Sequence, residues 1–321
     1  MNRLGIMLLV IGCLAAAALS VAAGKVWLPL DAWTAADPRS IIIVELRLPR
    51  TVLALTIGAA LGLSGAVMQG YLRNPLADPG LLGVSPGAAF GAVVSLYFGY
   101  AAQAWLLPMF ALAGAATAMA LLALIAGRSA SLVLFTLAGL VITNIAGSLT
   151  ALAISLAPTP FVASEIITWL NGALTDRSWD DVKLALPLVL AGAAMLATTA
   201  RSLDALTLGE GAARSMGVDP RRLQAAVIAG TALTVGASVA AAGVIGFVGL
   251  MVPHLVRPFA GNRPGAILLP SALGGALLLT LADALVRIAP TVSELRLGIV
   301  MSMLGGPFFL TLLLRMRKGL A

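Results

Sequence analysis

The sequence predicts an all-α polytopic membrane protein with about ten transmembrane helices, and three observations lead to this fold class. Hydrophobic residues make up 60% of the 321 residues, charged residues make up only 10%, and the mean hydropathy is +1.03. Soluble domains carry about 25% charged residues, so composition excludes a soluble globular fold. Apolar stretches of about 20 residues recur along the chain, and each is long enough to cross a bilayer core as a helix.

The predicted spans form one transmembrane domain over residues 1–321. The first apolar stretch has the basic start and small-residue end of a signal peptide, but the many apolar stretches behind it favour a first span. Residues 224–260 fit either two short spans divided at residues 243–249 or one long broken helix. The spans are predicted over residues 4–24, 51–70, 82–99, 105–126, 132–156, 182–200, 223–242, 244–260, 266–286 and 297–314.

The distribution of basic residues decides between these alternatives and predicts the orientation. With ten spans and both ends in the cytoplasm, the cytoplasmic side holds 12 of the 20 basic and 4 of the 13 acidic residues, whereas the outer side holds 8 and 9. Merging two spans would move the basic C-terminal residues outside, against the positive-inside rule. We therefore expect ten spans with cytoplasmic N- and C-termini. The same rule explains the net charge of +7 without a nucleic-acid partner.

Small residues recur at every fourth position in two of the spans, which places them on one helix face. Such stripes allow helix backbones to approach closely in a membrane, and they could also border a translocation path. The two stripes are Gly58, Gly62, Ala66 and Gly70, and Gly230, Thr234, Ser238, Ala242 and Gly246.

An internal similarity suggests an inverted repeat. The sequences LPRTVLALTIGAALGLSG (48–65) and DPRRLQAAVIAGTALTVG (219–236) share a Pro-Arg start and a final Gly. The copies lie in the second and seventh predicted spans, so they would cross the membrane in opposite senses, as the inverted repeats of transporters do. In a chain rich in Ala and Gly, a chance similarity is the alternative.

The sequence gives little support to enzyme chemistry. It contains no G-x-x-x-x-G-K-[ST] phosphate loop and no H-E-x-x-H motif, so the chain cannot hydrolyse ATP by itself and we expect no catalytic residue. Its single Cys and single His leave no Cys/His metal site, and we expect neither a metal nor a cofactor on this chain. Asp283 and Arg287 lie one helical turn apart and predict an ion pair or, with Glu294, a proton site; His254 is expected to be structural.

Two polar segments between the spans indicate where substrate or partners could act. Residues 73–87 (RNPLADPGLLGVSPG) separate two apolar runs, and we expect Pro75 and Pro79 to keep the backbone out of a helix. Residues 201–222 form the longest cytoplasmic connection and predict a short helix–turn–helix. In a protein without its own ATPase, this element could be a docking site for a separate ATPase or a solvated interfacial helix.

Several segments together resemble the permease subunits of type II ABC importers for iron chelates and cobalamin, the FecCD-type family. The resemblance runs in order over essentially the whole chain. The segments that carry it are LRLPRTVLALTIGAALGLSGAVMQG, RNPLADPGLLGVSPGA, SEIITWLNGALTDRSWDD, LTLGEGAARSMGV, GFVGLMVPHLVRPFAG and LLLTLADALVRIAPTVSELRLGIVMSMLGGPFFLTLLLRMR.

The resemblance implies a permease of the bacterial inner membrane, surrounded by membrane lipid, that works as a homodimer with the translocation path between the two copies. Two cytoplasmic ATPase subunits would bind below and carry ATP and Mg, and a periplasmic or lipid-anchored substrate-binding protein would dock above. The substrate would be a ferric siderophore, haem or cobalamin, and residues 169–174 (WLNGAL) are closer to siderophore and haem members. The rival interpretations are a proton-coupled secondary transporter and a membrane-embedded enzyme.

The resemblance also assigns a cytoplasmic gate. Asn74 and Leu76 stand at positions that contribute to the gate in the family. A second gate, in the turn over residues 127–133, stays unassigned, because Leu132 and Val133 occupy positions where family members have small polar residues.

Two further groups of residues receive partner-binding roles from the resemblance. Arginines suit carboxylate partners, because the planar guanidinium group can form two parallel hydrogen bonds. The residues that would dock the binding protein are Arg47, Arg50 and Arg287. The residues that would couple to the ATPase are Leu208, Gly209, Glu210, Ala213, Arg214 and Gly217.

Overall fold

The structure is a computed structural model, and it describes residues 3–25, 33, 39–103, 105–127, 132–291 and 294–318. Regular structure in these ranges is entirely helical. Short π and 3₁₀ helices lie at Ile42–Arg47, Pro79–Leu82 and Tyr100–Ala102. The α-helices are α1 (Arg3–Ala22), α2 (Leu48–Leu72), α3 (Val84–Tyr97), α4 (Leu106–Ala126), α5 (Leu132–Ser155), α6 (Pro160–Leu170), α7 (Trp179–Thr198), α8 (Ala200–Leu206), α9 (Glu210–Ser215), α10 (Pro220–Ala242), α11 (Val248–Ala260), α12 (Pro264–Ile288) and α13 (Leu297–Lys318).

Eight helices in the described part of the chain are long and apolar enough to cross a membrane, which confirms the predicted fold class. They are α1, α2 with the π helix before it, α4, α5, α7, α10, α12 and α13. The predicted spans 82–99 and 244–260 are the shorter helices α3 and α11, of 14 and 13 residues, whereas a crossing helix needs about 20. Both start after a residue at positive φ, Gly83 (84°) and Phe247 (68°), where regular helix cannot continue. The count of ten crossings stays a prediction.

Residues 224–260, which fit either two short spans or one long broken helix, contain a break. Helix α10 ends at Ala242, Gly243 follows at a φ of 71°, and α11 begins only at Val248. The break therefore lies where the sequence suggested it, at residues 243–247.

Helix α2 is the most buried of the long helices, and its stripe of small residues packs on α12. A Cβ atom added to Gly58 or Gly62 would overlap the backbone carbonyl groups of Gly275 or Ser271. Because only glycine leaves room for these carbonyls, the packing interpretation of this stripe is confirmed. Close backbone approach of this kind replaces the hydrophobic driving force that lipid cannot supply between helices.

Helix α10 packs on α2 in the opposite direction. Ser64 Oγ lies 2.7 Å from Thr234 Oγ1, and Met68 Sδ lies 4.0 Å from Thr231 Oγ1. As the residue number rises along α2, the number of the contacting residue on α10 falls, so the two helices are antiparallel. These helices carry the two copies of the internal similarity, and each is followed by an irregular segment and a shorter helix. Shared element order with opposite direction supports an inverted repeat.

Candidate functional site

Residues 73–77, which we call the gate segment, leave the C-terminal end of α2 in a tight turn. Arg73 has left-handed backbone angles (φ 50°, ψ 34°), and the N–H of Asn74 donates to the Gln69 carbonyl oxygen at 3.1 Å. Asn74 Oδ1 accepts the N–H of Leu76 at 3.0 Å. The exposed Asn74 side chain therefore holds the turn, and Leu76 behind it is half-buried. Their role as gate residues stays a prediction.

The chain then folds back between the helices. Asp78 Oδ1 accepts the N–H of Gly80 at 2.7 Å and caps the 3₁₀ helix that Pro79 begins. As expected, the chain from Arg73 to Asp78 does not continue α2. Pro79 itself begins a 3₁₀ helix, which departs from the expectation, since a first helical position needs no N–H from proline. A Cβ atom added to Gly249 would lie 3.1 Å from both Pro79 Cδ and the Leu61 carbonyl oxygen. Leu61 is about 16 Å from the end of α2, so this irregular segment lies at the depth of the transmembrane helices.

A cavity of about 290 Å³ lies beside this re-entrant segment. Its lining comes from α2, the 3₁₀ helix, the first turns of α3, the second half of α5 and the break between α10 and α11. The polar side chains in this lining are Asp78, Ser85 and Thr150. Irregular backbone at membrane depth is tolerated where it lines such a cavity. The volume lies at the lower end of the range of about 300–1,000 Å³ for small-molecule sites.

Residues 200–219, which we call the cytoplasmic element, form the predicted helix–turn–helix from α8 and α9. Gly209 (φ 97°) and Gly217 (φ 86°) make the turns on either side of α9. Leu208 and Met216, beside these glycines, are 66% and 63% exposed. Two large apolar side chains exposed next to charged residues are typical of a surface that binds a partner.

Ala213 is the exception among the predicted coupling residues, because it faces inward. It is 1% exposed and lies with Tyr71, Leu132 and Leu223 around a small cavity under α9. Arg214 and Glu210 are exposed. Ala213 therefore anchors α9 to its own chain, and coupling to a partner by the other predicted residues stays a prediction.

The predicted ion pair between Asp283 and Arg287 exists. It belongs to a larger cluster near the N-terminal end of α2, at the end of this helix opposite to the gate segment. Arg287 Nη2 lies 3.2 Å from Asp283 Oδ2. Arg50 donates to Asp283 Oδ1 at 2.8 Å and to Glu294 Oε2 at 2.9 Å. Glu294 also accepts from the hydroxyl of Thr175 at 2.9 Å. The cluster joins α2, α12 and the segments before α7 and α13.

All three predicted docking arginines are buried within the chain. Arg47 and Arg50 are 8% exposed and Arg287 is 4% exposed. Arg47 donates to the carbonyl oxygens of Val21 and Ala22, and Arg287 donates to Ser20 Oγ. Sequence reasoning missed that Arg50 is bonded within the chain. The signal for it was the presence of Asp283 and Glu294 in or beside apolar stretches, where a carboxylate needs a basic partner. Docking through these arginines stays a prediction, and a partner would have to share or exchange these bonds.

Glu294 lies between α12 and α13, outside the long helices. Burial by itself would raise the pKa of its carboxyl group, but the charge and hydrogen bond of Arg50 and the hydrogen bond of Thr175 lower it below the ordinary value. The carboxylate is therefore held in its charged form by groups from two other parts of the chain.

Three further predictions concern a metal site, His254 and the turn over residues 127–133. Within the described ranges no group of three or more His, Cys, Asp and Glu residues could hold a metal ion. His254 is half-buried and meets the ring of Phe308 edge-on, at 5.9 Å between centroids. In the turn 127–133, residues 128–131 lie outside the described part, while Leu132 is half-buried and Val133 is exposed.

Comparison with known proteins agrees with this arrangement. The FecCD transport family matches residues 8–315. The Fe(3+) dicitrate transport system permease protein FecD of Escherichia coli (strain K12) is 37% identical over 289 residues, covering 90% of each chain. The vitamin B12 import system permease protein BtuC of Salmonella paratyphi A is 38% identical over 304 residues, covering 94% of this chain and 92% of that protein. A solved structure described as an inward-facing metal-chelate type ABC transporter aligns with a TM-score of 0.88 and 29% identity, over 97% of this chain and 98% of the other.

The match includes the gate segment, the cytoplasmic element and the buried ion cluster, because it spans nearly the whole chain. Both named relatives are permease proteins, and the apolar helices described above are long enough for a membrane protein. The chain therefore belongs to the FecCD transport family and is a permease subunit of the bacterial inner membrane.

Proposed function

We propose that this chain is the membrane-spanning subunit of an ATP-driven importer for an iron chelate (a ferric siderophore or haem) or cobalamin. The family match over residues 8–315 is the observation that carries the proposal. The names of the relatives support the substrate class, since one is a ferric dicitrate permease protein and another a vitamin B12 permease protein.

The translocation path lies between two copies of the chain. The cavity of about 290 Å³ beside the re-entrant segment is too small for a haem or cobalamin to traverse. Helices α5 and α13 leave most of their apolar surface uncovered by the rest of the chain, in contrast to α2. A homodimer that buries part of this surface would enclose a wider passage, and lipid would cover the remainder.

Two copies of a separate ATPase bind the cytoplasmic element and supply the energy. The sequence has no phosphate-binding loop, so ATP and Mg bind to that partner and the permease itself needs no cofactor. Leu208 and Met216 are the contact residues best suited to test this, because both are exposed and neither supports the fold of α9. Leu208→Asp or Met216→Asp should lower the ATPase content of the purified complex, while Lys183→Asp on the opposite side should not. Wild-type content in both aspartate variants would contradict the assignment.

A periplasmic or lipid-anchored binding protein delivers the substrate to the outer side, where its carboxylates bind Arg47, Arg50 and Arg287 by sharing or exchanging the bonds that these arginines make within the chain. The complete transporter should import only with this protein present. The test is uptake of labelled ferric siderophore, haem and cobalamin into proteoliposomes that contain the permease with its neighbouring ATPase and binding protein.

Inhibitors separate this proposal from a proton-coupled transporter. ATP-driven uptake should stop with orthovanadate and continue with a protonophore. The opposite pattern would favour the proton-coupled alternative. The arrangement at Asp283 argues against that alternative, because arginines within the chain already engage both of its carboxylate oxygens.

A further inference from the structure

An ion pair joins the gate segment to helix α9. Arg73 Nη2 donates to Glu210 Oε1 at 3.3 Å, across 137 residues of sequence. Arg73 directly precedes Asn74, and Glu210 is the first residue of α9. The pair thus bridges the segment to which the family resemblance gives the gate and the element to which the proposed function gives the ATPase contact.

The backbone of Arg73 indicates that its side chain has a use. Arg73 caps α2 with a φ of 50°, in the left-handed region. Helix ends of this shape are usually made by glycine, because a residue with a Cβ atom is strained there. Arginine at this position is strained, but it places a guanidinium group in contact with Glu210 of α9.

Apolar packing beneath the ion pair holds α9 against the same two helices. Ala213 of α9 and Tyr71 of α2 border one small cavity, together with Leu132 at the start of α5. The Tyr71 ring meets the Phe135 ring of α5 edge-on at 5.3 Å. A displacement of α9 would therefore act on the end of α2, from which the gate segment emerges.

The partial exposure of the pair suits a contact that changes during a transport cycle. The side chains of Arg73 and Glu210 are 41% and 45% exposed. Exposed pairs contribute little to stability and can be broken and re-formed without burying an unpaired charge. The pair can therefore bias the gate segment without being needed for the fold.

We propose that the Arg73–Glu210 ion pair transmits the position of α9 to the gate segment, so that both are positioning residues for Asn74 and Leu76. The inference rests on the proposed function, in which the ATPase moves the cytoplasmic element. When α9 moves, Glu210 carries Arg73 with it, and the turn that Asn74 holds changes its position.

The complete transporter in proteoliposomes provides the test, with ATP hydrolysed per substrate imported as the readout. Arg73→Gly removes the guanidinium group and relieves the backbone strain, so this variant should fold at least as well as the wild type. Arg73→Gly and Glu210→Gln should each raise the ratio about fivefold, the factor that corresponds to the roughly 1 kcal/mol that an exposed ion pair can contribute. In Arg73→Gly, the ATPase content and the thermal unfolding midpoint should not fall. The exchange Arg73→Glu with Glu210→Arg should return the ratio to within about twofold of the wild type.

A matched control lies where the cytoplasmic element meets α10. Arg222 and Asp219 form an ion pair of the same length, 3.3 Å, within a single turn of chain, so Arg222→Gln should keep the wild-type ratio. Wild-type ratios in both single variants would overturn the inference, and so would an exchange variant as uncoupled as the single variants. A wild type without ATP-driven uptake would contradict the proposed function itself, whereas a coupled wild type with coupled variants would contradict only this inference.

Discussion

At the scale of single residues, Asp283 shows how this chain holds charge inside a membrane bundle. Its side chain is fully buried and lies between Arg50 at 2.8 Å and Arg287 at 3.2 Å. Lipid offers no water to an unpaired ion, so such a group must be paired within the protein. The pairing ties α2 to α12 and makes Asp283 a structural residue.

Asp283→Asn should destabilise the fold by about 3–5 kcal/mol, because it leaves two buried arginines without a full counter-charge. The thermal unfolding midpoint of the purified permease measures this loss. Asp180→Asn is the control, since it breaks a pair of similar length, 2.9 Å, whose side chains are 74% and 88% exposed. That loss should be below about 1 kcal/mol. Equal midpoints for the two variants would show that burial does not strengthen the Asp283 pairs.

The carboxylate of Glu294 predicts a dependence on pH. Because its pKa is lowered in the folded chain, its contribution to stability is present above the ordinary pKa of roughly 4.3 and is lost as pH falls through the folded pKa. Glu294→Gln should therefore unfold at a lower temperature than the wild type at neutral pH. The difference should shrink as the pH is lowered below roughly 4.3. A difference that stays constant with pH would contradict the ion-pair account.

At the scale of elements, the contact between α2 and α12 runs antiparallel along the length of both helices. Arg50 meets Asp283 at one end, Gly62 lies against Ser271 in the middle, and Gly70 lies beside Pro264 at the other end. The first residues of α12 are capped from outside, because Asp204 of α8 accepts the N–H of Gly265 at 2.7 Å. The same helix thus connects the buried ion cluster at one end of α12 to the cytoplasmic element at the other end.

Gly62→Ala should force α2 and α12 apart, because its Cβ atom would overlap the Ser271 carbonyl group. Overpacking of this kind costs about 1–3 kcal/mol, and the thermal unfolding midpoint should fall accordingly. Gly211→Ala is the matched control, since nothing lies within 4 Å of the added atom. A Gly62→Ala variant as stable as this control would mean that the helices can separate without cost.

At the scale of the whole molecule, the gate segment is, in our proposal, the exit of a path that lies between two copies of the chain. Asn74→Ala with Leu76→Ala should let substrate leak through reconstituted vesicles without ATP, because both side chains that narrow the proposed exit are removed. Asn74→Asp is the control, since it keeps an oxygen that can accept the Leu76 N–H and should stay tight. Tight vesicles with a folded double variant would indicate that the two residues only shape the turn.

Much of this architecture could be predicted from the sequence, because the relevant signals are local. Apolar length and composition predicted the helices, and spacing of small residues predicted the face of α2 that meets α12. The spacing of Leu206, Gly209, Ala213 and Gly217 predicted the helix–turn–helix of the cytoplasmic element. Each of these features depends on neighbours within a few turns of one helix, so a single stretch of sequence is enough to reveal it.

The sequence by itself determined that this chain is a helical membrane protein, since composition and recurring apolar length leave few other folds, and its resemblance to a known family indicated a permease. Only the tertiary structure decided that the predicted docking arginines are buried, that Ala213 faces inward and that the chain after α2 folds back to the depth of Gly249. The physical reason is distance along the chain. Arg50 and Asp283 are 233 residues apart and Arg73 and Glu210 are 137 apart, so which charge meets which is settled by the packing of helices that local sequence does not specify.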